Sequence, residues 1–314
     1  MSTKLQKSLL IAGFGAAMAM AGTAHAQQVR LMTGPQGGAW YPLGGAISNI
    51  AGKANIKVQV LPGAGIANVK GVQQGKADLG FGNSISTVDG IAGRPPFDEK
   101  TTNVCNVATL YPQYFQIVAN ADSGIESMAD TKGKSIAVQP RGNTAEFITA
   151  QMLDVYGMTY DDMSRVSYVS YTDAVSLLKD NNAQLFTLGT TVPSSSIMDL
   201  ASARDIKLIN VPDDKFEAMR ALNPGYTKLT IPAGSYPKQD KDVQAVGYAT
   251  HLIARCDLDE DVVYNILKGM QQDKDDLVSI AKVMGSTTVK MMAEDIGVPM
   301  HKGAEKFYKE QNAL

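Results

Sequence analysis

From Val29 the chain repeats one phrase three times: a short apolar strand, a glycine-rich or polar loop, then a helix. That order confines the chain to a parallel α/β sheet with helices laid against it. In the first phrase residues 29–32 read as strand and 33–38 as loop; Leu43, Ala46, Ile47, Ile50 and Ala51 then recur at helical spacing, with Pro42 suited to the first turn. In the second, Ile56, Val58 and Val60 alternate as a strand, residues 62–65 turn, and residues 66–74 wind a helix with Val69 and Val72 inward. The third runs over residues 77–81 and ends on Asn83-Ser84. Each phrase sets polar loop groups at a strand's C-terminal end beside a helix N-terminus, the edge at which open α/β sheets take ligands.

A second set follows Asp122-Ser123-Gly124: strand 135–138, loop 139–142, a helix from Asn143, strand 166–169, a helix from Thr172 and strand 183–188. Asn143 with Glu146 three residues on predicts a capping box, and Ala145, Ile148, Met152 and Tyr156 supply that helix's buried stripe. The Pro/Gly-rich stretch 223–237 reads as a second passage between two lobes, because the residues beyond it read as a strand and then mostly helix. Val262, Ile266, Leu267 and Met270 give an amphipathic helix near the end, with Asp259, Glu260 and Asp261 well placed in its first turn. The expected division is lobe 1 over 27–116, lobe 2 over 117–228, and a return crossing that completes lobe 1 over 229–314.

The first 26 residues read as a secretory signal peptide. Lys4 and Lys7 form a positive segment, an apolar run follows, and Ala24-His25-Ala26 offers a cleavage site. The 288 residues beyond it exceed what one core usually organises, in keeping with two lobes. With both leader lysines gone, 27 basic residues face 31 acidic ones, which gives no electrostatic reason to bind nucleic acid or anionic lipid. Cys105 and Cys256 are the only cysteines, too few for a disulfide-built scaffold; one bridge or two buried thiols both suit the sequence.

No catalytic signature stands out. A phosphate loop, a nucleophile elbow, a zinc-protease helix and a dinucleotide fingerprint are all missing from the sequence. Beyond the leader only His251 and His301 remain, and both read as structural. The carboxylates fall in helix first turns and solvated runs, and Asp78 shapes a turn. The chain is therefore expected not to be an enzyme and to need no cofactor or metal. It does offer an anion site made of neutral donors: loop 34–38 at a helix N-terminus, with Thr33 and Gln36 adding side-chain groups and Trp40 and Tyr41 following directly. On the equivalent loop of the second set stands Arg141, whose guanidinium could grip a carboxylate with two hydrogen bonds.

With these residues in view the chain resembles the TAXI class of solute receptors belonging to TRAP transporters. The likeness rests on residues 33–44, residues 71–81, Lys132-Gly133-Lys134, residues 298–304 and Phe307-Tyr308, in that order along the chain. It implies a two-lobed α/β periplasmic binding protein fold, class II-like, with the ligand in the interlobe cleft. It also implies a periplasmic protein that performs no catalysis and docks on an integral membrane TRAP permease. By position it draws Thr33, Gln36, Trp40, Tyr41, Asn83, Ser84 and Tyr111 into the first-lobe site, and Arg141, Asn143, Thr144, Thr190 and Thr191 into the second. The ligand it implies is a small organic acid or acidic amino acid. Trp40 stands where the family usually shows tyrosine, and Arg141 is an addition that favours a dicarboxylate such as 2-oxoglutarate or glutamate. Two other readings of the same scaffold are a ligand-sensing partner of a membrane sensor kinase and a periplasmic enzyme.

Overall fold

The computed structural model describes residues 27–35 and 38–314; the expected leader, residues 1–26, and the candidate Gln36 lie outside the described residues. The alternating apolar residues Ile56, Val58 and Val60 form β2 (Ile56–Leu61), parallel to β1 (Gln27–Met32), which is itself parallel to β3 (Leu79–Asn83). Helices α1 (Trp40–Gly52), α2 (Gly65–Gln73) and α3 (Ser84–Ala92) each follow one of these strands.

The chain then enters a long strand, β4 (Cys105–Asn120). A second parallel group follows, made of β5 (Ser135–Val138), β6 (Arg165–Tyr168) and β7 (Leu185–Thr190). Its helices are α4 (Thr144–Val155), α5 (Tyr171–Lys179) and α6 (Ser195–Ala203). Strand β8 (Ile206–Leu208), helix α7 (Asp213–Leu222) and strand β9 (Thr227–Ile231) lead into a second long strand, β10 (Val243–Ala254). The remainder is helical, chiefly α8 (Glu260–Gln272), α9 (Lys274–Ile280), α10 (Val289–Met292) and α11 (Lys302–Glu310).

Among the described residues ten strands join in one sheet, in the order β2-β1-β3-β10-β4-β7-β5-β6, with β8 against β4 and β9 against β10. The two parallel groups never pair with each other directly. They are connected by β4 and β10, which run antiparallel and pass through both halves: β10 pairs with β3 over Thr250–Ala254 and with β9 over Val243–Gly247, while β4 pairs with β7 over Tyr114–Ala119. The cores follow the same division. One packs Leu43, Ile47 and Ile50 of α1 against Val262, Ile266 and Leu267 of α8; others pack Ile148 and Met152 of α4, and Val175 and Leu178 of α5, on the β5–β7 strands.

The return passage is therefore made inside β10. The stretch 223–237, expected to carry it, touches both halves: Asn223 donates to the Ile85 carbonyl and the Asp89 carboxylate of α3, while Tyr226, Ile231 and Tyr236 pack mainly with apolar residues of the second half. Proline and glycine marked a turn before a strand, and the strand itself makes the crossing. The capping box at α4 is also only half present. Asn143 caps through its side-chain oxygen, 2.8 Å from the Ala145 N–H, but Glu146 does not reach back; its carboxyl group is buried beside Arg141, and burial raises its pKa.

Cys105 and Cys256 are joined in a disulfide with Cα atoms 5.0 Å apart. It fastens the start of β4 to the residues just past the end of β10. Both histidines are built into the frame. His301 accepts from the Gly303 N–H at the start of α11 and donates to the Leu258 carbonyl, and His251 lies between Thr87 and Asn106. Asp78 pairs with Arg30 through both backbone and guanidinium. No described helix is long and apolar enough to cross a membrane.

Candidate ligand-binding site

A cavity lies where the two halves meet, and five helices begin at its wall. Gly38, Ala39 and Trp40 bring the start of α1, Gly65 that of α2, Asn83 that of α3, Asn143 and Ala145 that of α4, and Tyr171 that of α5. A helix leaves its first N–H groups without intrahelical partners and carries partial positive charge at that end. At α1, α2 and α3 no side chain caps those groups. The wall is thus electropositive without a cation in it: every described residue that lines the cavity is neutral.

Aromatic rings narrow the space. Trp40 stacks on Phe81, and Tyr111, Tyr171 and Tyr248 close other sides. Burial pushes the Tyr171 phenol up to about 12 and the Tyr111 and Tyr248 phenols well above their ordinary value, so all three remain neutral hydrogen-bond donors at neutral pH. The Gln113 amide spans the halves: its nitrogen donates to the Gly189 carbonyl at 3.0 Å, and its oxygen accepts from the Thr250 hydroxyl and, at 3.0 Å, from the Trp40 indole. The Tyr171 hydroxyl donates to the same Gly189 carbonyl at 3.0 Å. The free volume left is about 30 Å³.

The halves touch around the cavity. The Ala67 N–H donates to the Gly142 carbonyl at 3.2 Å, and the Ser86 and Thr144 hydroxyls are 3.0 Å apart. Gly65 permits this approach, since a Cβ there would overlap the Thr144 hydroxyl. Behind the wall Asn68, fully buried, donates to the Thr33 and Phe81 carbonyls at 2.6 and 2.8 Å and accepts from the Ala64 N–H, fixing the ends of β1 and β3 against α2.

Of the residues singled out in the sequence, Trp40, Asn83, Tyr111, Asn143 and Thr190 line the cavity together. Thr144 stands at its edge, against Ser86. Thr33 lies one layer back, its hydroxyl donating to the Leu61 carbonyl, and Ser84 accepts from the Ala249 N–H. Thr191 lines a neighbouring groove with Pro42, Ser195 and Lys282. Tyr41 is exposed. Arg141 is not in the wall: its side chain is 74% exposed, the guanidinium lies 4.8 Å above the Tyr168 ring, and Nη2 donates to the Tyr168 hydroxyl. An adjacent aromatic face and the Glu146 carboxyl group hold it on the outer side of its loop.

Sequence reasoning missed Gln113, Tyr171, Tyr248 and Gly189. Gln113 and Tyr248 sit on the crossing strands, where no loop advertises a site. Gln113 was legible only as a buried amide in an otherwise apolar run, and Tyr171 only as the residue just before the predicted helix start.

A family model described as the NMT1-like family matches residues 31–311. Solved structures share the fold at low identity. A protein from Bordetella bronchiseptica RB50 is 16% identical with TM-score 0.53, over 91% of this chain and 89% of that one. A Xanthomonas citri protein solved with chloride ion is 11% identical with TM-score 0.50, over 91% and 96%. A Listeria monocytogenes protein provisionally described as an L-cystine ABC transporter is 13% identical with TM-score 0.50, over 83% and 97%. The mixed α/β fold, one sheet with flanking helices, is shared with these proteins.

Proposed function

The chain belongs to the NMT1-like family, and from that membership together with its fold and its cavity we propose that it is a solute receptor, which captures a small carboxylate between its halves and delivers it to a membrane transporter. The observation that carries the reading is the convergence of five helix N-termini, those of α1, α2 and α3 without a side-chain cap, on one cavity whose described lining is uncharged. Such ends hold anions without a side-chain cation, and aromatic walls exclude the water that would compete. No described residue of the wall supplies a paired acid and base, and the reading is of a ligand held and released unchanged.

Thermal unfolding of the purified protein against a panel of organic acids, amino acids, sugars, polyamines and metal ions tests this. Acids should raise the melting point, because a ligand at about 100 times its dissociation constant adds roughly 2.7 kcal/mol to the native state. A panel in which only sugars, polyamines or metals stabilise the protein would remove the carboxylate reading.

For the transporter, the motifs in residues 33–44 and 71–81 support a TRAP permease of the TAXI class, while the description of the Listeria neighbour favours an ABC transporter. Uptake in cells that carry the receptor with its cognate permease separates them. The TRAP reading expects uptake to collapse when an ionophore dissipates the ion gradient, at unchanged ATP.

A further inference from the structure

Two polar groups in the cavity wall are buried and unpartnered. Asn83 is 3% exposed and its side-chain oxygen has no hydrogen-bond partner; Tyr111 is 2% exposed and its hydroxyl has none either. The Thr250 hydroxyl and the Trp40 indole, which come near the Tyr111 oxygen, both donate to the Gln113 amide instead. Leaving such groups unpaired away from water costs about 1–3 kcal/mol each. Both line the same cavity as the uncapped N-termini of α1, α2 and α3.

We infer that the ligand is a small hydroxy acid carrying a single negative charge: its carboxylate faces the helix N-termini and the Tyr111 hydroxyl, and its own hydroxyl donates to the Asn83 oxygen. This rests on the receptor reading and narrows it. Three features of the wall select the class. No described lining residue is cationic, and the undescribed residues of the loop, Gln36 and Gly37, are neutral by sequence, so a second carboxylate would be desolvated without a partner. No described lining residue is acidic, so an ammonium group would find no countercharge among them. The wall presents an acceptor that a plain carboxylic acid leaves unpaired, and a free volume of about 30 Å³ restricts the class to small acids.

Calorimetry with matched acids tests the inference on the full chain. Glycolate, lactate, glycerate and 3-hydroxybutyrate are set against acetate, propionate, alanine, succinate and 2-oxoglutarate. The best hydroxy acid should bind at least about tenfold tighter than its deoxy counterpart, and tighter than any dianion or amino acid. Asn83→Ala should reduce that preference to within about threefold while leaving the affinity for the deoxy acid nearly unchanged, a readout that a merely structural role would not produce. Tyr111→Phe should weaken all acids alike.

Equal binding of lactate and propionate, a preference that survives in Asn83→Ala, or tighter binding of 2-oxoglutarate or alanine would overturn the hydroxy-acid assignment and leave the receptor reading standing. Binding of no acid at all would remove the carboxylate reading of the receptor, and this inference with it.

Discussion

The indole of Trp40 lies nearly parallel to the ring of Phe81, with centroids 5.5 Å apart and planes inclined by 16°. Phe81 is fully buried in β3, so it backs the indole from the core side while Trp40 lines the cavity. Trp40 is the only tryptophan in the chain, and its Nε1–H is bound to Gln113 on a strand that crosses both halves. Its emission should therefore shift in wavelength or intensity, saturably, when a ligand occupies the cavity. A flat spectrum at saturation, with binding shown by calorimetry, would place the ligand elsewhere.

Gly65 lies where α2 meets the start of α4 across the cleft. An added methyl group would meet the Thr144 hydroxyl across the cleft and also the Asn83 amide nitrogen of its own half. Gly65→Ala should hold the halves apart and displace the Asn83 amide, weakening ligand binding by about tenfold or more. Adding Thr144→Ala should restore part of the affinity. Titration calorimetry on the single and double variants checks both statements.

Arg141 lies over Tyr168 at 74% exposure, with the Glu146 carboxylate 4.0 Å away. Although Glu146 is buried, the guanidinium is exposed and screened by solvent, so the pair contributes about 0–1 kcal/mol. Arg141→Ala should leave ligand affinity within about threefold of wild type and shift the melting point only slightly. A loss of affinity of tenfold or more would put the guanidinium in the site.

His251 is fully buried, its Nε2 2.8 Å from the Thr87 hydroxyl and its Nδ1 3.0 Å from the Asn106 amide oxygen. Burial pulls its pKa down to about 3. The unfolded chain, with an ordinary histidine near 6.5, takes up a proton that the native state refuses. The contribution of His251 is thus complete above about pH 6.5 and is lost as pH falls toward 3, at up to about 1.4 kcal/mol per pH unit. His301, also lowered by burial, acts in the same direction. Asp89 and Glu146, both raised by burial, act in the opposite one. Because these three remain in His251→Gln, the difference between wild type and variant in urea unfolding at pH 7 and pH 5 isolates His251. The variant should lose less stability over that interval; equal losses would refute the assignment.

The disulfide spans a sequence separation of 151 residues, so reduction frees a long loop in the unfolded chain. Cys105→Ala paired with Cys256→Ala should lower unfolding free energy by about 2–5 kcal/mol. Urea titration of the oxidised, reduced and double-variant proteins should show the last two alike, and both less stable than the first.

Local rules reached far along this chain. The i, i+3, i+4 recurrence from Leu43 to Ala51, the alternation of Ile56, Val58 and Val60, and the cap at Asn143 are governed by neighbours a few residues away, and each became the element it predicted. The same rules put polar loops at the strand ends, which is why Trp40, Asn83 and Asn143 were legible as site residues. What they could not decide was anything that depends on residues distant in the chain. Whether Cys105 meets Cys256 depends on two strands pairing across that separation of 151 residues. How 223–237 sits between the halves depends on where its side chains find partners: Asn223 found them on α3, and Tyr226 and Tyr236 found most of theirs in the second half. Whether Arg141 points into the cleft depends on a competing aromatic face, Tyr168, on the neighbouring strand. The wall of the cavity combines helix N-termini from both halves with Gln113 and Tyr248 from the crossing strands, so only tertiary packing gathers its polarity, its neutrality and its size.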